Sequence, residues 1–506
     1  MSKFLWGVAI SPYQAEGGYN GPGQPRTNWA VAEERGDVAP LGHSADFFRH
    51  HEQDFARCRE LGLGAFRLGL EWSRIQPGVE PPQDRKNAGL VVPPPFDETA
   101  IAEYAGVLRA CMVSGLEPVV TLHHFVHPAW LGPDPWLEET TPARFAEYVR
   151  TAVAGINTRL PRPIRWFVTI NEPNMLVLNS YLGRQFPAER RGGIATMMKA
   201  YNQLLRAHVL AYNALHDLYA AEEWEEPRVS FNNYCSDVYW SDKVLTDLVC
   251  ARERGVARAD VAAHIVSRAR AFDTAFRAAK LPLHRDLAFY FGSLAKRAGN
   301  WIGYRTFSTE HYTTFLDALY ASPRTRLLDY IGIDYYDPFA AHAFRPPVWW
   351  DHEFRNKSFR SWMLATVTSK WWDWRVLPRG LHFFCQHYAA DYGRPVLIAE
   401  NGMALRRKAD GSTRRRDKMT RSQFLELHVH EVVRIAREGV PLIGYLHWSL
   451  FDNYEWGTYT PRFGLYSIDF NQGTEREAVD PHGDRPAETY AKLIREAGTM
   501  PGIQMD

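Results

Sequence analysis

Two glutamates in this chain each stand at the tip of a short, largely apolar run, as paired-carboxylate chemistry requires. Glu172 follows the run 164–168, and Pro173 ends that run as a strand because proline has no N–H group for a sheet ladder. Glu400 ends a second such run and precedes Gly402, a glycine that permits a sharp turn. Two carboxyl groups at one cavity can divide the roles of acid, base and nucleophile. Taken singly, either glutamate is more often a capping or salt-bridged residue than a catalyst.

Strand-like apolar runs recur along the whole chain and would position both glutamates. The runs are short and apolar, and stretches with helical periodicity lie between them. The eight runs are Phe4–Ala9, Ala65–Leu70, Glu117–Leu122, Trp166–Asn171, Val229–Asn233, Tyr330–Asp334, Val396–Glu400 and Gly444–Trp448. Glu172 therefore follows the fourth strand, and Glu400 ends the seventh.

Amphipathic helices are predicted between these strands. The candidates are Asp46–Leu61, Glu98–Ser114, Pro142–Asn157, Ile194–Ala221, Pro378–Tyr392 and Thr420–Glu438. Eight strand-then-helix units predict an α/β fold, a single (β/α)8 TIM barrel with long βα loops that occupies residues 1–506 as one domain. Roughly a hundred residues separate the fifth and sixth strands, which predicts an elaborated segment there. Active groups of such barrels come from the carboxyl ends of the strands, so both glutamates open onto one mouth.

Other strand ends carry polar and aromatic side chains. Gln14 follows the first strand, His124 the third, Asp334 and Tyr336 stand at the end of the sixth, and Trp448 ends the eighth. Amide, imidazole, carboxylate and phenol groups can hydrogen-bond the hydroxyls of a polyhydroxylated ring, and an indole can stack on its apolar face. The predicted mouth is therefore a candidate sugar site.

The composition and charge of the chain argue against some classes of binding partner. A formal net charge of +1 argues against a dedicated nucleic-acid binder. The five cysteines are scattered without a Cys-x-x-Cys pair, which is typical of reduced core thiols and favours a cytoplasmic location. No run is long enough to span a bilayer and no secretory leader precedes the first strand, so no membrane partner is expected. The 17 Trp, 24 Tyr and 27 Phe suit either a sugar site or a large aromatic core.

The histidines His123, His124 and His127 are a candidate metal cluster, but no acidic or cysteine ligand accompanies them at a matching spacing. No metal and no cofactor are therefore predicted.

Several motifs, in this order and at these strands, resemble the family-one glycoside hydrolases, the β-glucosidase and β-galactosidase family. They run along nearly the whole chain: FLWG at 4–7 with YQAEG at 13–17, FRL at 66–68 with EWSRI at 71–75, VTLHHF at 120–125, TINEP at 169–173, IAENG at 398–402, WSL at 448–450 with EW at 455–456, and RFGL at 462–465.

This resemblance implies retaining hydrolysis of β-linked sugars and assigns the catalytic roles. Glu400 would attack the anomeric carbon, while Glu172 first protonates the departing oxygen and then deprotonates water. Asn171 would hydrogen-bond the sugar 2-hydroxyl. Tyr336 would orient Glu400, and Arg67 would help to keep that carboxylate ionised.

The resemblance also implies a set of substrate-binding side chains in addition to Asn171. These are Gln14, His124, Asp334, Trp448, Glu455, Trp456 and Phe463, with Trp448 as the stacking platform. Phospho-sugar hydrolases of the family carry a serine where this chain has Glu455. Because a carboxylate there repels a phosphate, an unphosphorylated sugar is expected.

Three positions depart from the family pattern. Asp334 stands where the family generally has asparagine and adds a carboxylate near Glu400. Phe125 replaces a frequent tryptophan, and Asn174 replaces a frequent aromatic residue.

Two hypotheses about the function remain. One is a retaining β-glycosidase acting on terminal non-reducing glucosides, with galactosides or fucosides as further substrates, and the other is a catalytically silent or transglycosylating carbohydrate-binding barrel. The aglycone and the oligomeric state, including a homo-oligomer, stay open.

Overall fold

The barrel predicted from the strand pattern is confirmed. The computed structural model of the chain describes residues 4–80, 92–182, 192–343, 371–408 and 411–498. The barrel has eight parallel strands: β1 (Leu5–Ala9), β2 (Ala65–Gly69), β3 (Glu117–Thr121), β4 (Trp166–Asn171), β5 (Arg228–Tyr234), β6 (Ile331–Tyr335), β7 (Val396–Asn401) and β10 (Leu442–Trp448). They close in the order β1-β10-β7-β6-β5-β4-β3-β2. All their carboxyl ends therefore open at one mouth.

Alpha-helices connect and surround the strands. The described helices are α1 (Pro12–Glu16), α2 (Ala30–Glu34), α3 (Phe47–Glu60), α4 (Trp72–Ile75), α5 (Glu98–Val113), α6 (Thr141–Asn157), α7 (Pro173–Leu176), α8 (Ile194–Ala221), α9 (Lys243–Val249), α10 (Val261–Ala278), α11 (Leu287–Thr306), α12 (Thr313–Ala321), α13 (Ala340–Ala343), α14 (Pro378–Tyr392), α15 (Arg421–Arg437) and α16 (Pro486–Ala497). The six helices predicted from the sequence correspond to α3, α5, α6, α8, α14 and α15.

Local chemistry explains where these helices begin. The Thr420 hydroxyl accepts a hydrogen bond from the Gln423 backbone N–H, and the Thr420 N–H donates to Gln423 Oε1, so α15 starts with a capping box. Asp97 caps α5 through the backbone N–H groups of residues 99 and 100. Pro378 occupies the first turn of α14, where its missing N–H group is not needed.

The elaborated segment predicted between β5 and β6 is confirmed, and it is helical. It contains α9, α10, α11 and α12. After β7 the chain adds a small antiparallel sheet of β8 (Leu405–Lys408), β9 (Gly411–Thr413) and β11 (Pro461–Arg462) beside the mouth-forming loops. None of the described helices is long and apolar enough to cross a membrane.

Strand alternation divides the core into two layers. Ala65, Val119, Val168 and Leu397 belong to a cluster inside the barrel. Their immediate neighbours, including Phe66, pack outward against the helices. Because alternate residues of a strand point to opposite sides, a side chain reaches the barrel axis only in the correct register.

Candidate active site

Glu172 leaves β4 in an unusual backbone conformation. β4 contains one more residue than β5 between the paired positions Val168–Ser230 and Asn171–Asn232, which is a β-bulge. Glu172 itself has φ of 38°, in the left-handed region that residues with a side chain seldom occupy. Its N–H group donates to the Asn232 carbonyl at 2.9 Å.

Glu400 also follows an irregularity. Between the pairs Ile333–Ile398 and Asp334–Glu400, β7 has one more residue than β6. The extra residue shifts the alternation, so Glu400 points inward one position after the inward-facing Ala399. Both glutamates thus reach the axis through a bulge, a feature that apolar periodicity alone does not reveal.

Gly402, two residues after Glu400, has a different role from the sharp turn predicted for it. A Cβ atom at Gly402 would lie 2.2 Å from the Trp448 carbonyl oxygen, and its φ lies outside the left-handed region. Glycine is therefore needed because the backbone after β10 passes close to the tip of β7. This approach brings Trp448 beside Glu400.

Arg67 and Tyr336 hold the Glu400 carboxylate. Arg67 is fully buried and donates from Nη1 to Glu400 Oε1 at 2.7 Å and to the Ala399 carbonyl at 3.1 Å. The Tyr336 hydroxyl donates to Glu400 Oε2 at 2.9 Å. A buried carboxylate with a charge-assisted hydrogen bond on one oxygen and a phenol on the other has a fixed orientation.

Three carboxyl groups converge at the mouth. One oxygen each from Glu172, Asp334 and Glu400 lies within 4.8 Å of the others, and all three residues are buried. Asp334 accepts a short hydrogen bond from the Asn232 side chain. Arg67 is the guanidinium in contact with this group, so the cluster has more negative than positive charge when all three are ionised.

This charge imbalance governs the proton affinity of the cluster. Burial raises the pKa of Glu172 well above its usual value, and the charge on Glu400 raises it further. Burial raises the pKa of Asp334 well above its usual value as well, and Glu400 and Glu172 add to this effect. Burial also raises the pKa of Glu400, but Arg67 and the Tyr336 hydroxyl oppose the rise. Glu400 is therefore the best-stabilised carboxylate of the three, and the others are suited to hold a proton.

A further network of hydrogen bonds and ring contacts lies at the mouth. Glu455 accepts from Gln14 Nε2 and from Trp448 Nε1, both at 2.8 Å. His124 stacks on Trp448 with ring centroids 5.6 Å apart, and its Nε2 lies 3.3 Å from the Asn171 amide nitrogen. Predicted sugar-binding groups from four strands thus meet in one connected set.

Aromatic side chains extend the mouth outward. Phe463 packs against Tyr336 at 5.9 Å and Trp371 at 6.0 Å between ring centroids. Trp456, partly exposed, packs against Phe125 at 4.4 Å. Phe463 therefore contacts the tyrosine that holds Glu400, and Trp456 is the more exposed of the two.

Two functional side chains were not found by sequence reasoning. Asn232 donates from its amide to Asn171 Oδ1 at 2.8 Å as well as to Asp334, so it connects two predicted site residues. The Thr121 hydroxyl accepts from Arg67 Nε at 2.9 Å. A polar residue inside an otherwise apolar strand was the available signal, since such a residue needs a partner at the barrel axis.

Some polar residues at the strand ends do not join the site. The His123 ring packs edge-on against Trp136 at 5.0 Å, and His127 Nε2 lies 3.1 Å from the Gly132 carbonyl oxygen. The Tyr335 hydroxyl donates to the Leu377 carbonyl. Within the described parts of the chain, the histidines form no group with metal-ligand spacing, and the three mouth carboxyl groups, already in contact with a guanidinium, are the set that does.

Known proteins with similar sequences identify a family for this chain. The model of the family "Glycosyl hydrolase family 1" matches residues 1–481. A "6-phospho-beta-galactosidase 1" from Streptococcus pneumoniae is 26% identical over 488 residues, covering 92% of this chain and 93% of that protein. "Beta-glucosidase A" from Thermotoga maritima is 25% identical over 508 residues, covering 98% and 97%.

Solved structures share the fold. The family 1 β-glucosidase from Thermotoga maritima superimposes with a TM-score of 0.63 at 21% identity, covering 99% of this chain and 98% of that one. A β-glycosidase from Pyrococcus horikoshii gives a TM-score of 0.62 at 22% identity, covering 98% and 94%.

Proposed function

The chain belongs to glycosyl hydrolase family 1 and is a glycoside hydrolase, and we propose that it removes terminal, unphosphorylated β-D-glucosyl residues with retention of anomeric configuration. The observation that carries the proposal is the approach of the Glu172 and Glu400 carboxyl oxygens to within 4.8 Å. Retaining enzymes hold their two carboxyl groups about 5–5.5 Å apart, whereas inverting enzymes need about 6.5–9.5 Å to admit a water.

In the first step Glu400 is the nucleophile. Its carboxylate attacks the anomeric carbon, and the bond to the departing oxygen breaks as Glu172 gives that oxygen its proton. The environments fit these roles, because Arg67 and Tyr336 stabilise an anionic Glu400 while burial and the neighbouring charge keep Glu172 protonated.

In the second step Glu172, now ionised, takes a proton from water. The resulting hydroxide oxygen attacks the anomeric carbon and releases Glu400 as a carboxylate, which restores both groups. Asn171 is proposed to hydrogen-bond the sugar 2-hydroxyl, with Asn232 fixing the orientation of its amide. Trp448 is proposed as the platform under the ring.

The 6-phospho-β-galactosidase relatives make a phosphorylated sugar the second candidate. Glu455 argues for the unphosphorylated sugar, because its carboxyl group already accepts hydrogen bonds from Gln14 and Trp448. Burial raises the pKa of Glu455 well above its usual value, because a negative charge is disfavoured at this place in the site. A phosphate at the same place adds charge without adding a cation.

Azide rescue tests the assignment of the two glutamates. Glu400→Gly should lose hydrolysis of an aryl β-glucoside, and added azide should restore turnover as the α-glycosyl azide, because azide enters from the vacated face. Glu172→Ala with azide should instead give the β-glycosyl azide. A β-product from Glu400→Gly would show that the two roles are reversed.

A substrate panel tests the sugar. Aryl β-glucoside, β-galactoside, β-fucoside, β-mannoside, β-xyloside and β-glucuronide, with the 6-phospho-glucoside and 6-phospho-galactoside, should be compared by kcat/KM. We expect the unphosphorylated glucoside to exceed both phosphorylated sugars. Preference for a phosphorylated sugar would contradict the proposal, and no turnover of any of them by folded protein would favour the carbohydrate-binding barrel. Formation of alkyl glycoside in added alcohol would demonstrate transglycosylation by the same intermediate.

A further inference from the structure

Helix α11, in the elaborated segment between β5 and β6, presents its apolar stripe to solvent. Leu287, Tyr290, Leu294, Trp301 and Ile302 are 73%, 63%, 65%, 57% and 50% exposed. Their spacing of three, four and seven residues places them on one side of the helix. A helix on the surface of a globular protein normally turns such a stripe inward.

The opposite face of α11 packs on the protein. A Cβ atom at Gly292 would lie 2.1 Å from the Ala340 carbonyl oxygen, so the backbone of α13 contacts this turn directly. Lys296 Nζ, farther along the same face, lies 3.1 Å from Asp237. These contacts fix the rotation of the helix, and the outward direction of the apolar stripe is therefore a property of the packing.

The surroundings of the stripe are strongly basic. Residues 258–306 contain nine Lys or Arg residues against three Asp or Glu, a net charge of +6 in a chain whose total is +1. Arg285, Arg297 and Arg305 are exposed beside the stripe. The Arg305 guanidinium lies 4.3 Å from the centre of the Trp301 ring. Aromatic and aliphatic residues flanked by arginine are typical of helices that lie in a membrane interface.

We propose that α11 docks the protein onto a lipid surface bearing anionic headgroups, lying in the interface without crossing the bilayer. The apolar stripe would enter the boundary between headgroups and acyl chains, and the arginines would contact lipid phosphate. The sequence prediction of no membrane partner concerned a spanning segment, which a helix lying flat does not require.

Charge favours lipid over a second copy of the chain. In an antiparallel pair of α11 helices, Arg297 lies next to the midpoint and would face its own counterpart. Arg305 of one helix would meet the Arg285 end of the other. Like charges placed opposite each other oppose association, whereas an anionic surface attracts all three.

The helix starts beside the barrel mouth. Asp286, which caps α11, forms an ion pair with Arg375. The neighbouring Trp374 packs against Tyr336 with ring centroids 5.4 Å apart. A bilayer under α11 would therefore lie beside the entrance rather than behind the barrel.

Vesicle sedimentation with the full chain tests the proposal. The protein should pellet with phosphatidylcholine vesicles containing phosphatidylglycerol, pellet at least tenfold less with pure phosphatidylcholine, and be released by salt. Leu294→Ser/Ile302→Ser and Arg297→Glu/Arg305→Glu should each weaken the partition coefficient at least tenfold. Exposed double substitutions elsewhere, Val113→Ser/Leu427→Ser and Arg437→Glu/Arg495→Glu, are the matched controls with the same changes in apolar side chains and charge, and they should leave it unchanged.

Aryl-glucoside hydrolysis in the supernatant shows separately that each variant is folded, so failure of docking is distinguishable from failure of the proposed function. No pelleting at low salt, or equal pelleting of α11 and control variants, would overturn the proposal. So would self-association in the absence of vesicles that Leu294→Ser/Ile302→Ser abolishes, because the stripe would then belong to a second copy.

Discussion

Two ionic clusters in this molecule, one buried and one largely buried, differ in charge balance. At the mouth, Glu172, Asp334 and Glu400 share the Arg67 guanidinium. Between α9, α10 and α14, two aspartates are matched by cations: Lys243 contacts Asp247 at 3.2 Å and Asp391 at 2.5 Å, and Arg268 contacts both carboxylates.

The pKa values of the carboxyl groups follow this difference in charge balance. Burial alone would raise the pKa of Asp391, but Lys243 and Arg268 outweigh it and hold that pKa below the usual range. At the mouth burial is not offset to this extent, and the pKa values of Glu172 and Asp334 rise. A balanced cluster fixes structure, whereas an anionic cluster holds protons that a reaction can use.

Glu172→Gln should have the largest effect. The amide cannot supply a proton, so kcat/KM for glucosides with poor leaving groups should fall about 10³–10⁴-fold, with a smaller loss for dinitrophenyl glucoside. In the unchanged protein, activity should decline as pH rises through the raised pKa of Glu172, and this alkaline limb should vanish in the variant. Rates measured across pH with both substrates check this, and an unchanged limb would contradict the role.

Asp391→Asn should test the balanced cluster. It leaves the buried Lys243 with one carboxylate fewer and should lower the free energy of unfolding by about 2–4 kcal/mol at pH 7. Because the pKa of Asp391 is lowered on folding, its contribution is complete well above the unfolded value of about 3.9 and is lost progressively as pH falls from that value toward the lower pKa of the folded state. Thermal unfolding at pH 7 and near pH 3 measures the difference.

The matched control is Asp317→Asn, since that aspartate is 61% exposed in its ion pair with Arg258. A surface pair contributes about 0–1 kcal/mol. Equal destabilisation by both variants would show that burial does not distinguish these ion pairs.

Tyr336→Phe should move the acidic limb of the pH profile. The hydroxyl stabilises the ionised Glu400, so its removal raises the pKa of the nucleophile and shifts the limb to higher pH. We expect kcat to fall about 10²-fold, by analogy with the loss of one donor to a reacting charge. Tyr335→Phe removes the neighbouring hydroxyl, which donates to a backbone carbonyl instead, and should leave the profile in place. A shift in both variants would assign the effect to packing.

Asp334→Asn should have the smallest effect, with the opposite sign to Asp391→Asn. A carboxyl group whose pKa is raised on folding destabilises the native state as pH rises above its unfolded value. Removing it should therefore raise the free energy of unfolding by about 1–2 kcal/mol at pH 7, with no gain at pH 4. Thermal unfolding of the variant at both values tests this, and destabilisation at pH 7 would show that Asp334 is held as a stabilised carboxylate.

Much of the architecture could be predicted from local pattern. Apolar runs and their spacing located all eight barrel strands, and the Thr420 cap and the prolines at helix starts located helix boundaries. The two strand-tip glutamates were found because parallel strands bring their carboxyl ends to one edge. The catalytic and binding roles of these residues stay predictions until the variants are measured.

The sequence by itself determined the order of strands and helices and the residue types available at the mouth, because these depend on near neighbours in the chain. Only the tertiary structure decided that bulges in β4 and β7 turn Glu172 and Glu400 inward and that Asn232 connects Asn171 with Asp334. It also decided the outward rotation of α11. Strand register and helix rotation depend on partners far away in the chain, and a charge cluster acquires its proton affinity only when those partners exclude water.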